Sequence, residues 1–372
     1  MDPKHFPYDR YHQVKTEKDS ALYRFVSSST IEDIPIIVRP PCDIYGAVAR
    51  DRVRSLELQL DALALALDHK SDFMFSYLEP WHGVGVYASI FGCPVNWYDF
   101  DAPQTLPIIK SVNELKDLKR PKVLASEMVQ MVLDTIRYYR RVTHDQIDII
   151  LTDTQSPNDN ASLIMDTSEF FANSLSDPEL LVPFMNLITD AMIEFSEMQF
   201  EALGPTASRP GHIMISAPEL HGISISDDNM AVISQTSYQN SALAYNSRLG
   251  EYFGGVSIHT CGNFAQNYAA IKQVKNLVLI DCAVSGVDPL PNNARKLSQA
   301  FANTGIIIKA RIGGEEHWGI LEDLIDPDLK LIIQIDSDGD VTKSNSNYDR
   351  LKERCMKIMA AKRRLISTNH IS

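Results

Sequence analysis

The chain has 372 residues and a formal net charge of −13 at pH 7, with 44% hydrophobic and 22% charged residues. This composition is typical of a folded soluble protein, and the negative charge argues against a nucleic-acid-binding surface. No apolar run approaches the roughly 18 residues of a membrane helix, and the first residues lack the basic and apolar stretches of a secretory signal. The five cysteines form no spaced framework, which favours free thiols. We therefore expect a cytoplasmic protein that binds neither nucleic acid nor membrane.

The first 30 residues are polar, with a helix-like centre, and are interpreted as an N-terminal arm or an oligomer contact. From residue 31 onward, short β-rich runs recur, each followed by a stretch compatible with a helix. The predicted strands are Ile34–Arg39, Asp72–Leu78, Ile147–Thr152, His212–Ser216, Gly255–His259, Leu277–Asp281, Gly305–Ala310 and Leu331–Ile335. Eight strands alternating with helices predict an α/β fold, a (β/α)₈ barrel of the TIM type over residues 31–372.

The segment between the second and third predicted strands, residues 79–143, is longer than a crossover needs and is predicted to be an insertion that shapes the barrel mouth. It contains Trp81, His82 and Tyr87. These side chains could floor a flat apolar substrate pocket, or they could form a small core of the insertion itself.

Polar residues follow most of the predicted strands, where barrel enzymes place their working groups. Arg39 ends the first strand and Asn158 follows the third, so both are candidate substrate-binding residues. Glu219 and His221 follow the fourth predicted strand. Glu219 is a candidate substrate-binding residue or a partner of loop amides, and His221 is a candidate catalytic residue. Glu79 follows the second strand, where a carboxylate could be a metal ligand, an acid–base group or a helix cap.

The fifth predicted strand ends in a histidine and a cysteine two residues apart. Because side chains alternate along a strand, His259 and Cys261 point to the same side, and Gly262 lets the backbone turn away. Imidazole nitrogen and thiolate sulfur are ligands that Zn²⁺ takes. The pair is therefore a candidate metal site, although a core histidine beside a buried thiol is the alternative.

Four segments of the chain resemble the uroporphyrinogen decarboxylase superfamily. They are Ile258-His259-Thr260-Cys261-Gly262-Asn263, Tyr77-Leu78-Glu79-Pro80-Trp81, Phe91-Gly92-Cys93 and Gly222-Ile223-Ser224-Ile225-Ser226-Asp227-Asp228. The resemblance implies a distorted (β/α)₈ barrel. It also implies one of two activities: decarboxylation of porphyrinogens without a cofactor, or methyl transfer with zinc and a methyl-corrinoid protein.

Two motifs separate these branches. The decarboxylase branch has Arg-Gln-Ala-Gly-Arg-Tyr after strand one, whereas here only its first arginine is matched, by Arg39. The methyltransferase branch has His-x-Cys and a distant second cysteine as zinc ligands, and His259 and Cys261 match the first half. The resemblance therefore favours the methyltransferase branch.

The third zinc ligand is left open by the sequence, because Asp336-Ser337-Asp338 stands where the second cysteine would fall. Glu79 is the leading substitute, since a carboxylate suits zinc. Asp336, His221 and Cys282 are weaker candidates.

The resemblance thus implies a methyltransferase that moves a methyl group between a small substrate and a separate corrinoid protein. The substrate would be an aryl methyl ether donor, which loses its methyl group by O-demethylation, or a thiol acceptor. The resemblance also allows a homodimer. Two alternatives stay open: a cofactor-free decarboxylase, for which Arg39, Lys309 and Arg311 would supply cations at the mouth, and a non-catalytic ligand-binding member of the superfamily.

Overall fold

The computed structural model describes residues 1–99 and 101–369. Its α-helices are α1 (Tyr8–Ser27), α2 (Arg52–Ala66), α3 (Val86–Ser89), α4 (Glu127–Thr143), α5 (Pro157–Ile164), α6 (Thr167–Ser176), α7 (Val182–Leu203), α8 (Gln235–Ser241), α9 (Leu243–Phe253), α10 (Tyr268–Ile271), α11 (Ala294–Phe301), α12 (Leu321–Leu324) and α13 (Val341–Asn369). Its strands are β1 (Ile36–Arg39), β2 (Tyr77–Leu78), β3 (Val95–Asn96), β4 (Gln104–Thr105), β5 (Asp148–Ile149), β6 (Ile223–Ser226), β7 (Val256–Thr260), β8 (Leu277–Ala283), β9 (Ile307–Arg311) and β10 (Leu331–Asp336). Short 3₁₀ helices span Pro3–His5, Ala47–Arg50, Val112–Asp117, Val123–Ala125, Pro178–Leu180, Gly204–Thr206, Asp228–Ala231, Ala265–Asn267 and Glu315–Ile320.

Eight of the strands in these ranges form a parallel barrel, and β3 and β4 form a separate antiparallel hairpin. One sheet has the order β1-β10-β9-β8-β7-β6, and β2 pairs with β5. Backbone hydrogen bonds join these two sheets at both edges. Asp72 N, in the segment before β2, donates to Ile36 O of β1 (2.8 Å), and Ser226 N of β6 donates to Thr154 O, in the segment after β5 (2.9 Å). The predicted fold class is confirmed, with the distortion located at the short strands β2 and β5.

Seven of the predicted strands overlap observed ones, and the fourth is corrected. The predicted strand His212–Ser216 is irregular, with Ile213 at a φ of 60°, and the strand of that unit is β6. Its Ile-Ser-Ile-Ser sequence alternates, whereas the predicted run was the more apolar one. Since residues 217–222 precede β6, Glu219 and His221 lie at its amino end. They line a cavity there with Gly254, which precedes β7.

The side chains inside the barrel form layers, because alternate residues of each strand point inward. The lowest layer, at the amino ends of the strands, is apolar and contains Ile37, Phe73, Leu279, Ile307 and Ile332. The next inward positions along the strands are polar and include Arg39, Asp281, Lys309 and Gln334. The barrel is therefore plugged at one end and polar towards the other.

Helix α1 covers the plugged end of the barrel. Leu22 is 3% exposed and packs into the apolar layer, while the Tyr11 hydroxyl donates to Ser76 O (2.7 Å). Lys15 pairs with Asp148 at 2.9 Å. The predicted N-terminal arm, residues 1–30, is thus packed along the barrel for most of its length.

The predicted insertion, residues 79–143, holds α3, the β3–β4 hairpin and α4. Helix α4 packs against α7 on the outside of the barrel. In the described part of the chain, no helix combines the length and the apolar character that crossing a membrane requires.

Candidate metal centre and adjoining cavity

Three interior side chains on neighbouring strands form a buried row. The strand register places His259 of β7 beside Asp281 of β8, and Asp281 beside Lys309 of β9. His259 Nδ1 lies 2.6 Å from Asp281 Oδ1, Lys309 Nζ bonds Asp281 Oδ2, and Arg311 Nε lies 3.1 Å from Asp281 Oδ1. Asp281 and Lys309 are fully buried. The row is therefore a network of paired charges, the form in which a protein interior tolerates ions.

Asp281 fixes the proton position on His259. Burial alone raises the pKa of Asp281, but the charges of Lys309 and Arg311 outweigh burial and hold this pKa far below its ordinary value. An ionised carboxylate only accepts hydrogen bonds, so His259 Nδ1 donates its proton to Asp281. The second nitrogen, Nε2, then faces Cys261 Sγ and is the atom that could bind a metal, an arrangement that histidine ligands commonly adopt.

Nitrogen, sulfur and oxygen donors converge at the open end of this row. His259 Nε2 lies 3.4 Å from Cys261 Sγ, and Asp228 joins them in a group whose donor atoms all lie within 4.8 Å of one another. Two ligands of a tetrahedral zinc ion, one nitrogen and one sulfur, are about 3.6 Å apart. The donor set and its spacing therefore fit Zn²⁺.

The backbone around Cys261 holds the group together. Cys261 N donates to Asp228 Oδ1 at 2.6 Å, and Gly262 adopts a φ of 81°, which turns the chain away from the rim. Cys261 is exposed, yet partial burial and the charge of Asp228 raise the pKa of its thiol to about 11. A bound metal would displace the thiol proton, as metals do at cysteine ligands.

Asp228, rather than Glu79, is the carboxylate that lies beside His259 and Cys261. It follows β6, and the register of Ser226 opposite His259 brings it to the rim beside the end of β7. The sequence analysis quoted Asp228 within a family-like segment but gave it no role as a metal ligand, because the preceding strand was misplaced. The alternation Ile223-Ser224-Ile225-Ser226 ahead of Asp227-Asp228 is the signal that could have found it.

The other proposed third ligands lie elsewhere. Glu79 bonds His212, and Cys282 is fully buried among the apolar residues between the strands and the outer helices. Asp336 accepts a hydrogen bond from Gln334. His221, the predicted catalytic residue, and Glu219, a predicted substrate contact, are at the opposite end of the barrel, so the reason for assigning them those roles is lost.

A polar network behind Asp228 shapes its loop. Asp159 accepts hydrogen bonds from the backbone N–H groups of Asp228 (2.7 Å) and Asn229 (3.0 Å). Asn158, a predicted substrate-binding residue, donates to Asp227 at 3.3 Å and is fully buried. Asn158 thus supports the loop that carries Asp228, through its hydrogen bond to the neighbouring Asp227.

A second cluster of ionisable groups surrounds Glu79. His212 Nδ1 lies 2.5 Å from Glu79 Oε1, and His212 Nε2 lies 3.6 Å from Asp153 Oδ2. Burial lowers the pKa of His212, but the charges of Asp153 and Glu79 outweigh it and raise this pKa to about 9. His212 is therefore a buried imidazolium at neutral pH. The sequence analysis placed it inside a strand and missed this role.

A cavity adjoins this cluster. Its lining residues are Arg39, Pro40, Cys42, Ile44, Tyr45, Gln59, Ala62, Leu63, Phe75, Tyr77, Glu79 and Ile213. The wall residue Phe75 also faces the buried row, since Lys309 Nζ lies 5.5 Å from its ring centre. Phe75 therefore separates the cavity from the buried row of His259, Asp281 and Lys309.

The residues predicted to line an aromatic pocket, Trp81, His82 and Tyr87, lie in three different environments. Trp81 is buried, donates to Asp153 at 3.3 Å and packs edge-on against Tyr45. His82 is held between Ala49 O and Thr135 Oγ1, and Tyr87 is bonded to Ser196 and Thr154. None of the three lines the cavity, although Trp81 supports its wall residue Tyr45. Of the predicted substrate-binding residues, Arg39 lines the cavity.

Comparison with known proteins agrees with this architecture. Residues 82–207 match the family model of uroporphyrinogen decarboxylase (URO-D). The solved structure of a methyltransferase from Methanosarcina mazei has a TM-score of 0.62 at 14% sequence identity, covering 94% of this chain and 99% of that chain. No curated protein sequence matches the chain at a significant level. The resemblance to the superfamily and the barrel-type fold are thereby confirmed.

Proposed function

We propose that the chain is a zinc-assisted methyltransferase that moves a methyl group between a small substrate and a separate corrinoid protein. The observation that carries the proposal is the group of Asp228, His259 and Cys261 at the barrel mouth, with His259 oriented by Asp281. The likeness to a chain named as a methyltransferase supports it. The small substrate is an aryl methyl ether donor or a thiol acceptor.

The residues of the site have separate tasks in this proposal. Zinc, when bound, would supply a Lewis acid that lowers the pKa of a thiol or stabilises the oxygen that loses its methyl group. Asp228, His259 and Cys261 would hold it, and the contact of His259 Nδ1 with Asp281 orients the ring so that Nε2 is aimed at the ion. Cys261 is exposed at the rim, so a partner protein can approach the site from solvent.

The charge distribution inside the barrel favours methyl transfer over decarboxylation of a carboxylate-rich molecule. Lys309 and Arg311 both contact Asp281, whose single negative charge offsets one of their two positive charges, and Lys309 is fully buried. Arg39 alone of the three cations named for the decarboxylase alternative has no ion-pair partner within the described residues. The three cations therefore keep a surplus of two positive charges, and Arg39 is the one of the three that lines the cavity, which is few for a substrate with many carboxylates.

Metal content is the first test. Protein purified without chelator should hold about one zinc per chain by elemental analysis, and His259→Ala, Cys261→Ala and Asp228→Ala should each lose it. Cys42→Ser is the matched control, because it removes a thiol outside the metal group. Zinc retained by all three variants, or absent from the wild type after zinc addition, would contradict the assignment.

Methyl transfer is the second test. Zinc-loaded protein incubated with reduced cobalamin and an aryl methyl ether should yield the demethylated phenol. In a separate assay with methylated cobalamin and a thiol, it should yield the methyl thioether. Both products are detected by mass spectrometry. The Cys261→Ala variant should yield neither. Stoichiometric zinc without either product would favour the non-catalytic binding protein.

A further inference from the structure

The cavity lined by Arg39, Tyr45 and Glu79 is small. It offers about 70 Å³ to the centres of water molecules, which is space for roughly five waters. Five waters occupy about 150 Å³ of liquid, close to the volume of a single substituted aromatic ring. The size of the cavity thus suits a one-ring ligand rather than a macrocycle.

The walls of this cavity are flat and largely apolar. Phe75, Tyr45 and Tyr77 supply aromatic surface, and Ile44 and Leu63 supply aliphatic surface. Ligand pockets typically combine such walls with a few convergent polar groups that fix orientation. A planar ring is the shape that these walls accommodate best.

Arg39 is the first of the two polar groups at issue. Its guanidinium is half-buried beside Phe75, and its hydrogen bonding within residues 1–99 and 101–369 is limited to a 3.5 Å contact with the Tyr45 hydroxyl. Guanidinium carries five N–H donors arranged to bind an anion in a fork. Arg39 thus has donors to spare for an anionic oxygen.

Glu79 is the second polar group. It is 4% exposed, and its Oε1 is occupied by His212 at 2.5 Å. Its Oε2 accepts no hydrogen bond from the described residues. Glu79 lines the cavity, so an oxygen that accepts no hydrogen bond from the protein leaves one to be made by a ligand that brings an O–H group.

We propose that this cavity binds a small aromatic ligand that carries both an anionic oxygen and a hydroxyl group. Arg39 binds the anion, and Glu79, held in place by His212, accepts the hydrogen bond of the hydroxyl. The assignment deepens the proposed function: a hydroxylated aromatic acid is the product that a methoxyaromatic acid would leave when its O–CH₃ bond breaks, the methyl group passes to the corrinoid and the oxygen takes up a proton, and this role as product rests on that function. Binding itself does not.

The test measures binding by titration calorimetry with meta-hydroxybenzoate, benzoate and phenol as probes. The wild type should bind meta-hydroxybenzoate at least about ten-fold more tightly than either probe that lacks one group. Glu79→Gln should reduce the preference over benzoate to within about three-fold, and Arg39→Met should do the same for the preference over phenol. Arg295→Met, an exposed arginine paired with Asp323, is the matched control and should change neither preference.

The outcomes separate this proposal from the methyltransferase proposal. Cys261→Ser should bind meta-hydroxybenzoate like the wild type while failing in methyl transfer. Equal wild-type affinity for all three probes, or no measurable binding of any, overturns the ligand assignment whatever the metal content. Because this comparison uses the wild type, it decides the question even if Glu79→Gln does not fold.

Discussion

Replacing Asp281 with asparagine should weaken zinc binding and destabilise the barrel interior. Asp281 is fully buried and is shared by His259, Lys309 and Arg311. An amide in its place can present N–H to His259 Nδ1, which shifts the imidazole proton to Nε2 and blocks the ligand atom. Loss of such a supporting hydrogen bond costs roughly ten- to hundred-fold in metal affinity, or about 1.4–2.7 kcal/mol.

The stability cost has a separate origin. Lys309 is fully buried and loses its counter-charge in Asp281→Asn. Removing one partner of a buried ion pair costs about 3–5 kcal/mol. Urea unfolding of the metal-free protein should show this loss, and competition with a chromophoric chelator should show the weaker zinc binding of the variant.

The control for this experiment is Asp323→Asn, which removes the same charge from an exposed pair with Arg295. It should change stability by at most about 1 kcal/mol and leave zinc affinity unchanged. A zinc affinity of Asp281→Asn within two-fold of the wild type would refute the claim that Asp281 orients His259.

Three further predictions concern other parts of the barrel. The pKa of His212 is about 9 in the folded protein, above its value of about 6.5 in the unfolded chain. The ion pairs of His212 therefore stabilise the fold fully below pH 6.5, and this stabilisation is lost as the pH rises through 9. Urea unfolding of His212→Asn should therefore show its largest deficit, up to roughly 3 kcal/mol, at pH 6 and almost none at pH 10; a deficit independent of pH would contradict the assignment. Leu22→Ala should cost about 2–5 kcal/mol in the same assay without changing zinc content, because it opens a gap in the plugged end of the barrel, whereas the half-exposed Tyr23→Ala should cost about 0.5 kcal/mol or less. Gly222 has a φ of 89°, and a Cβ there would lie 2.5 Å from Gly255 O, so Gly222→Ala should distort the start of β6 and lower the unfolding midpoint; an unchanged midpoint would argue against that strand position.

The fourth strand shows where local sequence patterns stop being sufficient. His212–Ser216 is a compact apolar run and was predicted as a strand, whereas the observed β6 alternates isoleucine with serine. Serine can point into this barrel because its inner face is polar above the apolar layer, a fact of tertiary packing. The error placed Glu219 and His221 at the wrong end of the barrel and left Asp228 without a predicted role as a metal ligand.

Local sequence patterns were sufficient to predict the barrel class, seven of the eight barrel strands and the shared direction of His259 and Cys261. These features follow from local rules, namely apolar runs that alternate with helical stretches and the two-residue period of a strand. The residues that contact His259 and Cys261, in contrast, depend on the packing of distant segments. Asp228 and Asp281 reach His259 through the register of β6, β7 and β8, and His212 reaches Glu79 from a loop 133 residues away in sequence. Such contacts depend on how strands and loops pack around a common core, which no local pattern encodes.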